Sequence, residues 1–171
     1  MVLKHLILLR HAESDWTTGV PDRLRPINDK GIKDAVQAGL WLTERELIPD
    51  YALCSSAQRA KKTLSGVFEG IGQQKIKVSY DDHLYNFDAN SLLETIRKVP
   101  AETGTLLVVG HNPAIASLAR DLASQDSEQR ALDEMQREYP SLGMSVFTVD
   151  VTWNALGNHL ARLRLFVVPR S

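Results

Sequence analysis

Two short runs, LILL at 6–9 and LLVV at 106–109, are apolar at every position. A strand with one wet face alternates apolar and polar side chains. An unbroken run of this length, bounded by turn signals, is read as a strand buried on both faces, as in a parallel sheet covered by helices. Val2 to Leu9 and TLLVVG, Thr105 to Gly110, are therefore expected to be central strands.

The segments around them supply the helices. A polar stretch from Glu13 to Pro26, with Gly19, Pro21 and Pro26, reads as a loop. Asn28 can cap a helix in which Ile32, Ala35, Val36, Gly39, Leu40 and Leu47 recur at helical spacing before Pro49 stops it. Tyr51 to Cys54 reads as a strand. The helix after it buries Ala60, Leu64, Val67, Phe68 and Ile71, with Gly70 and Gly72 near its end. Lys75 to Tyr80 is strand-like, and Asn90 to Val99 is a short helix stopped by Pro100. Past the fourth strand, Asn112 and Pro113 read as N-cap and first helical residue, with Ile115, Leu118, Ala119 and Leu122 on the buried face. Ser127 to Tyr139 reads as another helix. Met144 to Val151 and His159 to Val168 read as strands joined through WNALGN. Four β-α units followed by two strands predict an α/β fold, a three-layer α/β/α sandwich with a mainly parallel central sheet. Residues 1–171 carry no repeat, linker or low-complexity segment and are expected to form a single domain.

Composition narrows the functional classes. The formal net charge is −1, so no global basic field would hold nucleic acid or an anionic membrane. No apolar run is long enough to span a bilayer, and the N-terminal run ends in Arg-His rather than a cleavage site. The single cysteine, Cys54, forms no internal disulfide and suits a reducing cytoplasm. Carboxylates and histidines do not cluster at metal-ligand spacing, so neither a metal nor a cofactor is expected. Nothing demands more than a monomer.

Ligands of open α/β sheets bind beyond the carboxyl ends of the strands. The first strand ends at Arg10 and His11. The second is followed by SSAQRAKKT, with Arg59 in the first turn of the next helix. The fourth is followed by Gly110, His111, Asn112 and Pro113. Two arginines and two histidines thus converge on one sheet edge beside a helix N-terminus. Guanidinium forks match phosphate oxygens, and a neutral imidazole is a competent nucleophile toward phosphorus. Each element alone has a plainer reading, as a surface arginine or a capping turn; their shared placement points to phosphoryl chemistry.

LLRHAESDW, DRLRPINDKG, CSSAQRAKKT and VVGHNP, in this order, resemble the signatures of the histidine phosphatase superfamily, and RHAESDW followed by RPINDKG resembles its SixA-type phosphohistidine phosphatases. The resemblance implies a phosphoglycerate mutase-like fold over nearly the whole chain. It implies His11 as the residue that becomes phosphorylated, Arg10 and Arg59 as the phosphate clamp, and His111 as a second pocket histidine. Arg25 would line the substrate groove. Asn112, read from the residues as the cap of a helix whose free N–H groups favour an anion, joins Arg10, Arg25, Arg59 and His111 in the expected substrate-binding set. The implied substrate is phosphohistidine on a partner protein, such as a histidine-phosphotransfer domain.

The chain departs from the mutase-like members of that superfamily at one position. Those carry a Leu-x-Glu general acid after the third strand; here Leu84 is followed by Tyr85 and Asn86, with Asp82 and Asp88 nearby. An alkoxide leaving group needs a proton from an acid, whereas an imidazole leaving a phosphohistidine needs less help. The departure favours P–N over P–O substrates unless Asp82 or Asp88 substitutes. Three readings compete: a phosphomonoesterase for small molecules, a module that binds phosphohistidine without turnover, and a cysteine phosphatase built on Cys54. The last needs five residues between cysteine and arginine, and only four separate Cys54 from Arg59.

Overall fold

The computed structural model describes residues 2–72, 75–85 and 88–170. Six strands, β1 (Lys4–Arg10), β2 (Tyr51–Ser55), β3 (Lys77–Asp81), β4 (Thr105–Gly110), β5 (Met144–Val149) and β6 (Ala161–Val167), form one sheet in the order β3-β2-β4-β1-β5-β6. The β3-β2-β4-β1 half is parallel, and β5 and β6 join it antiparallel. Helices α1 (Asp29–Glu44), α2 (Gln58–Ile71), α3 (Ala89–Arg97), α4 (Ala114–Leu122) and α5 (Gln129–Arg137) cover it. This is the expected mainly parallel α/β/α arrangement.

The apolar runs explain the layering. Leu6 and Leu8 of β1, with Leu106 and Val108 of β4, face a core built from α3, α4 and α5. Ile7 and Leu9, with Leu107 and Val109, face a second core built from α1 and α2. Successive side chains of a strand point to opposite faces, so only an all-apolar run can feed both cores.

Several boundaries differ from the sequence reading, each for a physical reason. Val2 and Leu3 are exposed and precede β1, which runs on to Arg10. Helix α1 is capped by Asn28, whose side chain accepts from the Gly31 N–H at 2.8 Å. It ends at Glu44, and Glu46 turns the chain at φ 57°, so Leu47 packs on the core from outside the helix. Gly70 is a packing residue rather than a terminator. A Cβ there would lie 2.2 Å from the Val36 carbonyl oxygen, and one on Gly39 would lie 2.1 Å from that of Val67. Helices α1 and α2 therefore touch backbone to backbone. Gly72, at φ 90°, closes α2. Pro113 takes the N-cap position of α4 that was expected of Asn112, and Ala114 is the first helical residue. Helix α5 ends at Arg137, short of Tyr139, which is buried beyond it.

The sheet register fixes the site. Arg10 pairs with Gly110, so β1 and β4 end level and the next residues, His11 and His111, emerge side by side.

Candidate active site

His11 and His111 have ring centroids 5.1 Å apart, tilted by 58°. His11 is 7% exposed, and its Nδ1 lies 2.8 Å from the Ala12 carbonyl oxygen. That carbonyl can only accept, so the proton sits on Nδ1 and Nε2 carries the free lone pair. The Ala12 N–H donates in turn to Thr63 Oγ1 of α2 at 2.9 Å, and Thr63 donates to the Arg59 carbonyl at 2.7 Å. The backbone just after His11 and the helix that carries Arg59 are thereby tied together.

Burial is the main reason that the His11 imidazole is pushed down to about 3. His111, Arg59 and Arg10 lower it further, and the Ala12 hydrogen bond opposes them. Burial also lowers His111 to about 4, aided by Arg59, Arg10 and Arg25 and opposed by Asp22. Both imidazoles are neutral at pH 7. His111 Nε2 meets Ser55 Oγ at 2.8 Å, and Ser55 Oγ accepts from the Ala57 N–H at 3.2 Å.

Arg10 and Asn112 share one anchor. Arg10 Nη1 donates to the Tyr139 carbonyl at 3.1 Å, and Asn112 Nδ2 donates to the same oxygen at 2.9 Å. Asn112 Oδ1 accepts from the Ala116 N–H at 3.3 Å. The side chain expected to bind substrate is thus engaged with the scaffold at both ends. Arg59 lies in the first turn of α2, 7% exposed. Its Nη1 donates to the Asp22 carbonyl at 2.9 Å and its Nη2 to Asp22 Oδ2 at 3.1 Å. Arg25 donates from Nη2 to Asp22 Oδ1 at 3.2 Å and from Nη1 to Ser14 Oγ. Its guanidinium lies 3.6 Å from the ring centroid of Trp16, which is 77% exposed at the rim.

Five buried side-chain nitrogens among the described residues lack a hydrogen-bond partner: the Nε atoms of Arg10, Arg25, Arg59 and Arg162, and His111 Nδ1. All but Arg162 belong to this cluster. Buried donors are ordinarily satisfied, so such a concentration marks a site made for an anionic acceptor.

Asp22, Tyr85, Ser55 and Tyr139 are absent from the sequence-based set. Asp22 was within reach: it stands three residues before Arg25 in the quoted DRLRPINDKG motif. Neither aspartate weighed as an acid is disposed to donate a proton. Asp82 is exposed and paired with Arg23, and Asp88 caps α3 by accepting from the Ser91 N–H at 2.8 Å. Hydrogen bonds hold both below the ordinary carboxylate range. Asn86, at the mutase acid position, lies outside the described residues. Among the described residues no group of three or more His, Cys, Asp or Glu could hold a metal ion, and no helix is long and apolar enough to cross a membrane.

The model of the histidine phosphatase superfamily (branch 1) matches residues 6–94. Over 163 residues the chain is 36% identical to an uncharacterised protein of Mycobacterium tuberculosis, covering 95% of this chain and 100% of that one. A solved structure of the candidate phosphohistidine phosphatase SixA from Nakamurella multipartitia superposes with a TM-score of 0.86 at 31% identity, covering 100% of this chain and 99% of that chain. A 2,3-bisphosphoglycerate-dependent phosphoglycerate mutase of Borreliella burgdorferi is 40% identical over 78 residues, 43% of this chain and 31% of the mutase.

Proposed function

Given that the chain belongs to the histidine phosphatase superfamily, we propose that this phosphatase-type enzyme hydrolyses phosphohistidine on a partner protein through a phosphoryl intermediate on His11. The observation that carries the reading is the group of unpartnered buried donors around a neutral imidazole whose Nδ1 is fixed.

His11 Nε2 attacks phosphorus in line, forming an N–P bond as the bond to the leaving group breaks and its electron pair departs with that group. Arg10 and Arg59 offer positive charge and N–H groups to the equatorial oxygens, whose charge must be stabilised throughout transfer, and neutral His111 offers an N–H. Water then attacks the same phosphorus, releasing inorganic phosphate and returning neutral His11. Burial serves the first step, because an imidazolium has no lone pair to give.

Two features support an imidazole as the leaving group. A phosphohistidine protonated on its other nitrogen leaves as neutral imidazole and needs no acid, and the carboxylates Asp82 and Asp88 are committed elsewhere. The N–P bond formed also matches the bond broken, so transfer is nearly balanced.

Rapid-quench labelling with a phosphohistidine donor tests the reading. Wild type is expected to carry acid-labile, base-stable phosphate transiently and to release inorganic phosphate, and His11→Ala to do neither. Hydrolysis by the variant would remove His11 as nucleophile. Labelling without release would make the chain a phosphate acceptor or binder. Faster turnover of phosphomonoesters than of phosphoramidates would reassign the substrate to small esters.

A further inference from the structure

The mechanism above leaves the carboxylate of the site without a task. Asp22 lies in the short 3-10 turn Asp22–Leu24 and touches three members of the site at once. Its carboxylate accepts from Arg59, Arg25 and the Tyr85 hydroxyl, and its carbonyl accepts a second bond from Arg59. The Tyr85 ring in turn packs perpendicular to that of His111, with centroids 5.7 Å apart at 89°, and its centroid lies 5.6 Å from the Arg59 guanidinium. Both Nη atoms of Arg59 are therefore engaged by Asp22, and this engagement decides which N–H groups remain for a ligand.

A carboxylate at this place has two opposed effects. It repels a phosphoryl dianion, weakening ground-state binding at two arginines. It also fixes a flexible guanidinium in one orientation, which assists a transition state that demands that orientation. A group that only added affinity would not be an acid.

We propose that Asp22 is a positioning residue for phosphoryl transfer: it aims Arg59 and, through Tyr85, buttresses His111, while holding down the affinity of the site for free phosphate. The proposal rests on the phosphoryl-transfer reading above. Its benefit is kinetic, because a site of clustered arginines without a counter-charge would retain the product phosphate.

The test compares wild type, Asp22→Asn and Tyr85→Phe. The measurements are kcat and KM with a phosphoramidate donor, inhibition by inorganic phosphate, and the thermal midpoint. Hydrogen bonds to charged groups are worth about 1.5–3 kcal/mol, so losing this orientation predicts a fall in kcat of about tenfold to a hundredfold for Asp22→Asn. KM and the phosphate inhibition constant are expected to fall, the split that marks removal of ground-state opposition. Tyr85→Phe removes one of the hydrogen bonds and predicts a smaller loss of kcat with unchanged phosphate inhibition. Wild-type kcat in Asp22→Asn overturns the proposal, as does phosphate inhibition no tighter than that of wild type, whatever the thermal midpoint. If Asp22→Asn does not fold, unchanged kcat in Tyr85→Phe overturns it alone. Absence of phosphoryl-His11 in wild type would instead refute the reading on which the proposal rests.

Discussion

Lowering the pH should leave the His11 ring unprotonated well past the point where an ordinary histidine has charged. An imidazole titrating at about 6.5 is only about one-tenth neutral at pH 5.5, which would slow nucleophilic attack roughly tenfold. With His11 near 3 and His111 near 4, almost all of both rings remain neutral there. The chain has five histidines, so ring resonances of labelled protein can be assigned with His11→Asn and His111→Asn. Their chemical shifts are expected to hold constant from pH 8 to pH 5. The same burial has a consequence for stability. Between the folded values and about 6.5 the unfolded chain binds more protons than the native one, so stability rises with pH and is lost as acid is added. Each of the two histidines contributes up to a tenfold change in the folding equilibrium per pH unit within that window, and each asparagine variant should flatten the slope. A His11 midpoint above pH 6 would refute the argument, because burial would then not be holding the ring neutral.

Alanine at Gly39 or Gly70 must push α1 from α2, since its Cβ would meet backbone oxygen at 2.1 or 2.2 Å. Overpacking of this kind costs about 3 kcal/mol, a fall of roughly 6–12 °C in thermal midpoint for a chain of this size, readable by calorimetry. Cys54 is fully buried and its thiol is pushed up to about 12, chiefly by burial. Alkylating reagents at pH 8 should label it only in denaturant and leave turnover of the native enzyme unchanged, as followed by mass spectrometry and phosphate release. Inorganic phosphate should stabilise the fold through the unpartnered donors, by about 2.7 kcal/mol at a hundred times its dissociation constant. Arg59→Ala should lose most of that upward shift of the thermal midpoint.

What was legible in the sequence is what depends on local pattern. Leu6–Leu9 and Leu106–Val109 announced strands buried on both faces because a strand with one wet face alternates apolar and polar side chains and these runs do not. Asn28 announced the start of α1 because a cap is a local hydrogen bond. The end of α1 and the role of Gly70 were not legible. Leu47 keeps helical spacing although the chain has already turned at Glu46, and a glycine that permits helix contact has the same local appearance as one that ends a helix.

The site divides along the same line. Arg10, His11, Arg59 and His111 are brought together by strand ends and by the level register of β1 and β4, so a reader of strand ends reaches them. Asp22, Tyr85 and Tyr139 act through partners far along the chain: Asp22 meets Arg59 at a separation of 37 residues and Tyr85 at 63, and the Tyr139 carbonyl meets Arg10 at 129. No local period encodes such contacts. They share a physical origin in the cost of holding guanidinium groups in a half-buried cluster. Each arginine must give some of its N–H groups to fixed acceptors to remain ordered, and must keep others unpaired if it is to bind an anion. Among the residues missed by the sequence reading, Asp22 and Tyr139 supply those acceptors, and the division of N–H groups between acceptor and ligand is what turns a patch of arginines into a site with one geometry.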